Sequence, residues 1–190
     1  MFYLEFNIIN FLIVVVIAHF CSSFGAWFIH LLLHKKVLGI PFYRVHVGAH
    51  HRIDHISDYR LDHLSVLEHI IWTFLIIVYT SFCYFIGYSY FFTFLLWTFW
   101  VSITVAIINL GLDYYLHLQF ETKESWLKNY SWFTTGQKLH RIHHSYLSSS
   151  DYSYESLTKI KNYAIGGPIT GALMDRLFGT YEPDMPTNSR

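Results

Sequence analysis

Three long apolar runs divide this 190-residue chain. They are residues 6–29 (FNIINFLIVVVIAHFCSSFGAWFI), 70–87 (IIWTFLIIVYTSFCYFIG) and 91–112 (FFTFLLWTFWVSITVAIINLGL). Each reaches or approaches the roughly 20 residues that span a hydrocarbon core of about 30 Å. The pattern predicts three transmembrane helices. The first run lacks a basic lead and exceeds the apolar region of a cleavable signal peptide. His19 and Cys21-Ser22-Ser23 weaken its middle, so a re-entrant pair of half-helices is an alternative for that run.

The polar positions then order the molecule. Every Lys and Arg, from Lys35 to Arg190, falls outside the three runs. Glu5 is the sole charge ahead of the first run, and the Tyr88-Ser89-Tyr90 link is uncharged. The positive-inside rule therefore places the N-terminus outside and residues 35–66 and 113–190 in a cytoplasmic cap. Tyr3, Trp27, Trp72, Tyr88 and Tyr90 sit near the predicted span ends, where aromatic residues anchor, with core packing as the other reading of each. Residues 123–133 mix aromatic and charged side chains and suit a bilayer surface. Residues 148–156 form a polar loop, and Gly166-Gly167-Pro168 precedes a short apolar helix at about 169–178. The expected fold is an all-α integral membrane protein: about three transmembrane helices under a cytoplasmic helical cap. Residues 1–181 form one membrane-embedded domain and 182–190 a polar tail.

Composition supports this. The chain is 53% hydrophobic and 14% charged, against about 25% charged in a soluble domain. Its net charge of zero argues against a nucleic-acid partner, which would require a basic face. Cys21 and Cys83 lie in apolar runs and build no disulfide framework or metal pair.

The chemistry lies in thirteen histidines, most of them clustered. The clusters are His30-Leu-Leu-Leu-His34, His46-Val-Gly-Ala-His50-His51, Asp113-Tyr-Tyr-Leu-His117 and His140-Arg-Ile-His143-His144. On a helix, spacings of three or four bring side chains to one face, about 5–6 Å apart. Two imidazoles so placed can reach one metal ion. An adjacent histidine points about 100° away and can serve a second ion, so the doublets suit a binuclear site. All four clusters fall at the inferred cytoplasmic ends of spans or in the cap. His55 and His63 are further candidates, as ligands or as partners of ligands, whereas His19 and His69 read as packing or surface residues.

This pattern resembles the fatty acid hydroxylase / sterol desaturase superfamily over roughly residues 26–181. The most specific part is LHRIHH at 139–144, KNYAIGG at 161–167 and MDRLFGTY at 174–181. The boxes at 30–34 and 46–51 are similar to the first two of the family, and YRL at 59–61 fits as well. Two features depart. Asp113 stands where the third box usually carries a histidine; it either ligates a metal or accepts the proton of a ligand histidine. Residues 145–160 are an insertion, a candidate lid or partner contact beside a plain surface loop as the other reading. The chain is also short, with three predicted spans where four are common.

The resemblance implies an O2-dependent hydroxylase or desaturase acting on a lipid, fatty acyl, sterol or related. It implies two iron ions, with zinc able to occupy their place, held by His30, His34, His46, His50, His51, His117, His140, His143 and His144. Electrons would come from an external donor such as cytochrome b5 or a ferredoxin/reductase, since the chain has no dinucleotide-binding glycine fingerprint. The location implied is the endoplasmic reticulum in a eukaryote or the inner membrane in a bacterium, with the metals on the cytoplasmic side. Two other readings stay open. One is a membrane metal-binding or transport protein, although transporters place ligands near the midplane. The other is a zinc-dependent membrane hydrolase with Asp113 or Glu155 as base.

Overall fold

The computed structural model describes residues 8–51, 63–88, 126–146, 159–163 and 172–185. Within them the chain is mostly helical. Helix α1 (Ile8–Leu33) runs 26 residues without a break. His19 and the Cys-Ser-Ser stretch do not split it into half-helices, because none is Gly or Pro and each costs only tenths of a kcal/mol in a helix. It also continues past residue 29, through three leucines that favour helix, and so carries His30. Its segment Val15–Leu33 is long and apolar enough to cross a membrane. Helix α3 (His63–Tyr88) carries a shorter apolar stretch, Val66–Phe82. The run at 91–112 lies outside the described residues.

Between them lie a small hairpin and a short helix. Strands β1 (Lys36–Val37) and β2 (Ile40–Pro41) pair antiparallel, a departure from the all-α expectation. Leu38 and Gly39 turn the hairpin with φ of 50° and 84°, the left-handed sense that matches the twist of the flanking strands. Helix α2 (Phe42–Ala49) follows directly. A 3-10 turn (Trp126–Asn129) leads into α4 (Ser131–Ser145), and α5 (Leu173–Leu177) closes the described order. It occupies the second half of the short helix expected at 169–178.

Two apolar clusters flank the histidines. In one, Ile29 and Leu33 of α1 pack with Trp72 of α3 and Phe133 of α4. In the other, Trp27, Val47, Ile160, Tyr163 and Met174 converge. Elsewhere large apolar side chains face outward. Ile8, Ile9, Leu12, Ile13, Val16, Ile17 and Phe20 form an exposed stripe on α1, and Ile70, Phe74, Ile77, Val78 and Phe82 form one on α3. Exposed apolar surface on this scale marks a protein or membrane contact.

Where α1 meets α3, Gly25 is required. A Cβ there would lie 2.5 Å from Cε1 of Tyr79, whose hydroxyl donates to the Cys21 carbonyl at 2.8 Å. Gly25→Ala is expected to displace the ring, break that bond and destabilise the protein by about 1–3 kcal/mol. A thermal unfolding comparison checks this, with Gly39→Ala at the open hairpin turn as a control for plain backbone strain.

Candidate metal centre

The site is assembled from three helices and the turns that follow the first two. The last turn of α1 presents His30, and His34 follows one turn on. Helix α2 and its C-terminal turn present His46, His50 and His51. Helix α4 presents His140, His143 and His144. All eight are buried, with His34, His46 and His143 at 0% exposure. By composition α4 (SWFTTGQKLHRIHHS) reads as a solvated helix, yet its buried face includes Phe133, Leu139, Ile142 and three histidines.

The rings form two adjoining groups. His30, His34, His46 and His143 make one; His50, His140 and His144 make the other. Within each, one ligand atom per residue lies within 4.8 Å of the rest. His51 joins them. Its Nε2 is 3.3 Å from Nε2 of His34, and its ring stacks on His144 at 4.4 Å. The pairs His30/His34 and His140/His144 each stay within one group, as helical spacing expects. His46 and His50 share that spacing but divide between groups.

The outer nitrogens explain the arrangement. His30 Nδ1 donates to the Tyr163 carbonyl at 2.7 Å. His143 Nδ1 donates to the Lys161 carbonyl, also at 2.7 Å. His46 Nδ1 donates to the Glu68 carboxylate at 2.6 Å. An oxygen of this kind accepts only, so each of these three rings carries its proton on Nδ1. Glu68 thereby turns His46 Nε2 toward His30 and away from the second group.

The Nε2 atoms of these three rings are then lone pairs. Nε2 of His30 faces Nε2 of His46 at 3.1 Å, and Nε2 of His34 faces Nε2 of His143 at 3.1 Å. The His30–His46 pair sets two lone pairs against each other, which repel unless a cation lies between them, whereas His34, with no outer acceptor, can meet the His143 lone pair with its own Nε2 proton. Nitrogens bound at 2.0–2.1 Å to one ion sit about 2.9–3.4 Å apart at tetrahedral or octahedral angles. The three inner contacts all fall within that span. Among the described residues, Nδ1 of His34 and Nδ1 of His51 are buried without a hydrogen-bond partner. The donor set is imidazole with no thiolate, which suits iron, zinc, copper or nickel.

Electrostatics favour neutral, ligand-ready rings. Burial holds His34 and His51 well below the ordinary histidine value of 6.5, and neighbouring histidines push both further down. The unfolded chain binds protons at these positions from about pH 6.5 downward, whereas the folded one resists them. Stability is therefore complete above that pH and falls below it, by up to about 1.4 kcal/mol per pH unit for each ring. The metal-free melting temperature is expected to drop as pH falls from 7 to 5, which a melting series checks. A flat profile contradicts it.

Glu68 is a site residue that sequence reasoning missed. It is a lone carboxylate just ahead of an apolar run, and only 6% exposed. Such a group needs a partner, and that was the available signal. The second omission is the KNY segment, which acts through its backbone. His63 opens α3 as an exposed residue and belongs to neither group. His55, Asp113 and His117 lie outside the described residues, as does most of the insertion at 145–160. Glu182, at the start of the polar tail, is tied to the site: its N–H donates to Asn162 Oδ1 at 2.9 Å.

No curated protein and no solved structure matches the chain. The family model described as fatty acid hydroxylase matches residues 15–180. That span takes in every histidine just described, and the chain belongs to the fatty acid hydroxylase family.

Proposed function

We propose that the chain is an O2-dependent, di-iron lipid hydroxylase or desaturase working at a membrane. The observation that carries this reading is the pair of adjoining, buried histidine groups with their inner nitrogens aimed together. Family membership supplies the reaction class. His30, His34, His46 and His143 hold one ion; His50, His140 and His144 hold the other, and His51 stands between. His117 completes the set, and Asp113 ligates or steadies a ligand. Zinc can take the place of iron in such an imidazole set.

Bound iron supplies O2 activation and cleavage of an unactivated C–H bond, which side chains cannot do unaided. The chain's own residues do the rest. Glu68, Lys161 and Tyr163 fix ring tautomers, so the ligand nitrogens need no reorganisation. The two apolar clusters exclude water from the rings. The exposed stripes on α1 and α3 suit lipid contact, which favours these two helices as spans; the run at 91–112 is read from its apolar sequence as a third, with the histidines on the cytoplasmic side. The substrate is then a lipid tail reaching the site from the bilayer. A separate electron donor, cytochrome b5 or ferredoxin-type, docks on the cap. His30 and His34 sit at the C-terminal end of α1, away from the midplane where transporters bind ions.

The test is direct. Iron-loaded protein in native membranes is given reductant and O2, and the lipids are profiled by mass spectrometry. A gain of about 16 mass units marks hydroxylation and a loss of about 2 marks desaturation. Absence of any oxygen-dependent lipid change would sink the proposal.

A further inference from the structure

Two of the three acceptors that fix ligand tautomers are main-chain carbonyls two residues apart, Lys161 O and Tyr163 O. Both serve rings of the same four-histidine group. A backbone segment outside a helix or sheet does not hold two carbonyls in place by itself. Here it is pinned on both sides. The Tyr163 N–H donates to Asp175 Oδ1 at 2.8 Å, and the Thr180 hydroxyl donates to the same oxygen at 2.6 Å. The Asn162 N–H donates to the Thr180 carbonyl at 2.8 Å. The Asn162 side chain brackets Glu182, donating to its carbonyl at 2.8 Å and accepting from its N–H at 2.9 Å.

Neither residue sits there cheaply. Asp175 is 0% exposed, and a buried carboxylate is tolerated only when well bonded. Asn162 is 2% exposed and has a φ of 57°, a left-handed conformation that non-glycine residues adopt mainly when their surroundings demand it. Both features converge on residues 161–163, two of whose carbonyls receive His30 and His143.

We infer that Asp175 and Asn162 are positioning residues for the metal centre: they hold residues 161–163 as a two-carbonyl shelf that fixes the tautomer and aim of His30 and His143. The inference rests on the reading that this group holds a metal ion. Neither residue touches the ion. Their effect passes through the shelf, as does that of Thr180, whose hydroxyl also accepts from Trp27 Nε1 on α1 at 3.2 Å.

The experiment is a Co(II) titration of the full chain, followed by its visible ligand-field spectrum, with circular dichroism as a check on folding. Asp175→Ala is expected to weaken Co(II) binding about 10- to 100-fold and to alter the bands, as loss of an outer partner of a ligand does. Asp175→Asn keeps an acceptor oxygen and is expected to recover affinity to within about threefold of the parent. Asn162→Gly keeps the backbone conformation, removes the bracket, and is expected to weaken binding about 3- to 10-fold. It carries the test if Asp175→Ala does not fold. Parent-like affinity and spectrum in Asp175→Ala, or in Asn162→Gly where Asp175→Ala does not fold, overturn the inference, as does an Asp175→Asn no better than Asp175→Ala. A parent protein that binds no Co(II) overturns the metal-centre reading itself, which separates the two failures.

Discussion

Replacing His143 with alanine is expected to abolish turnover, by well over about 100-fold, since loss of a mere outer partner already costs 10- to 100-fold. The His143 ring is one of the central ones. Its centroid lies 4.5 Å from that of His30, 4.9 Å from His34 and 4.8 Å from His51. Its Nε2 faces that of His34, while the Lys161 carbonyl holds its Nδ1. Truncation deletes one ligand and leaves the Lys161 carbonyl without its donor. Bound metal should fall by at least one ion per chain, measured by elemental analysis of purified protein. Unchanged metal content would remove His143 from the ligand set.

Glu68→Ala is expected to have the next largest effect. It leaves His46 Nδ1 buried opposite nothing, and the ring then gains by moving its proton to Nε2, toward His30. A protonated Nε2 cannot ligate. Metal affinity should fall about 10- to 100-fold, read by competition with a chelator of known strength. Glu68→Gln retains an acceptor oxygen without the charge and should fall between Glu68→Ala and the parent. Equal affinity in all three proteins would show that the short contact with His46 does not matter to binding.

Which parts were legible in the sequence follows from how local each signal is. Helical spacing is local, so the sharing of a group by His30 and His34, and by His140 and His144, could be read directly. The His143-His144 doublet also behaved as adjacency implies, since its members fall in different groups. The separation of His46 from His50 could not be read, because it is set by Glu68, a carboxylate on another helix. The stretches KNYAIGG and MDRLFGTY stood out as a resemblance, but their role did not. Backbone carbonyls of the first accept the histidine protons, and a carbonyl leaves no mark in the residue type; the second braces that segment through Asp175.

The fold shows the same division. Apolar length found α1 and α3, but the apolar count ended α1 at residue 29 while its helix runs on to Leu33 and delivers His30. The hairpin at Lys36–Pro41 rests on two residues with positive φ, and one of them is a leucine, which gives no turn signal. Phe133 was read as a surface aromatic and Trp72 as either interfacial or core; tertiary packing against Ile29 and Leu33 buries both.

The central claim is that these histidines hold two metal ions side by side. The measurement that tests it most directly is the metal-to-protein ratio of the full chain loaded anaerobically with Fe(II) and freed of excess. The account expects two ions per chain in the parent and one in a His140→Ala variant, which opens only the second group. A parent ratio of one or near zero, or a ratio of two that His140→Ala leaves unchanged, would contradict it.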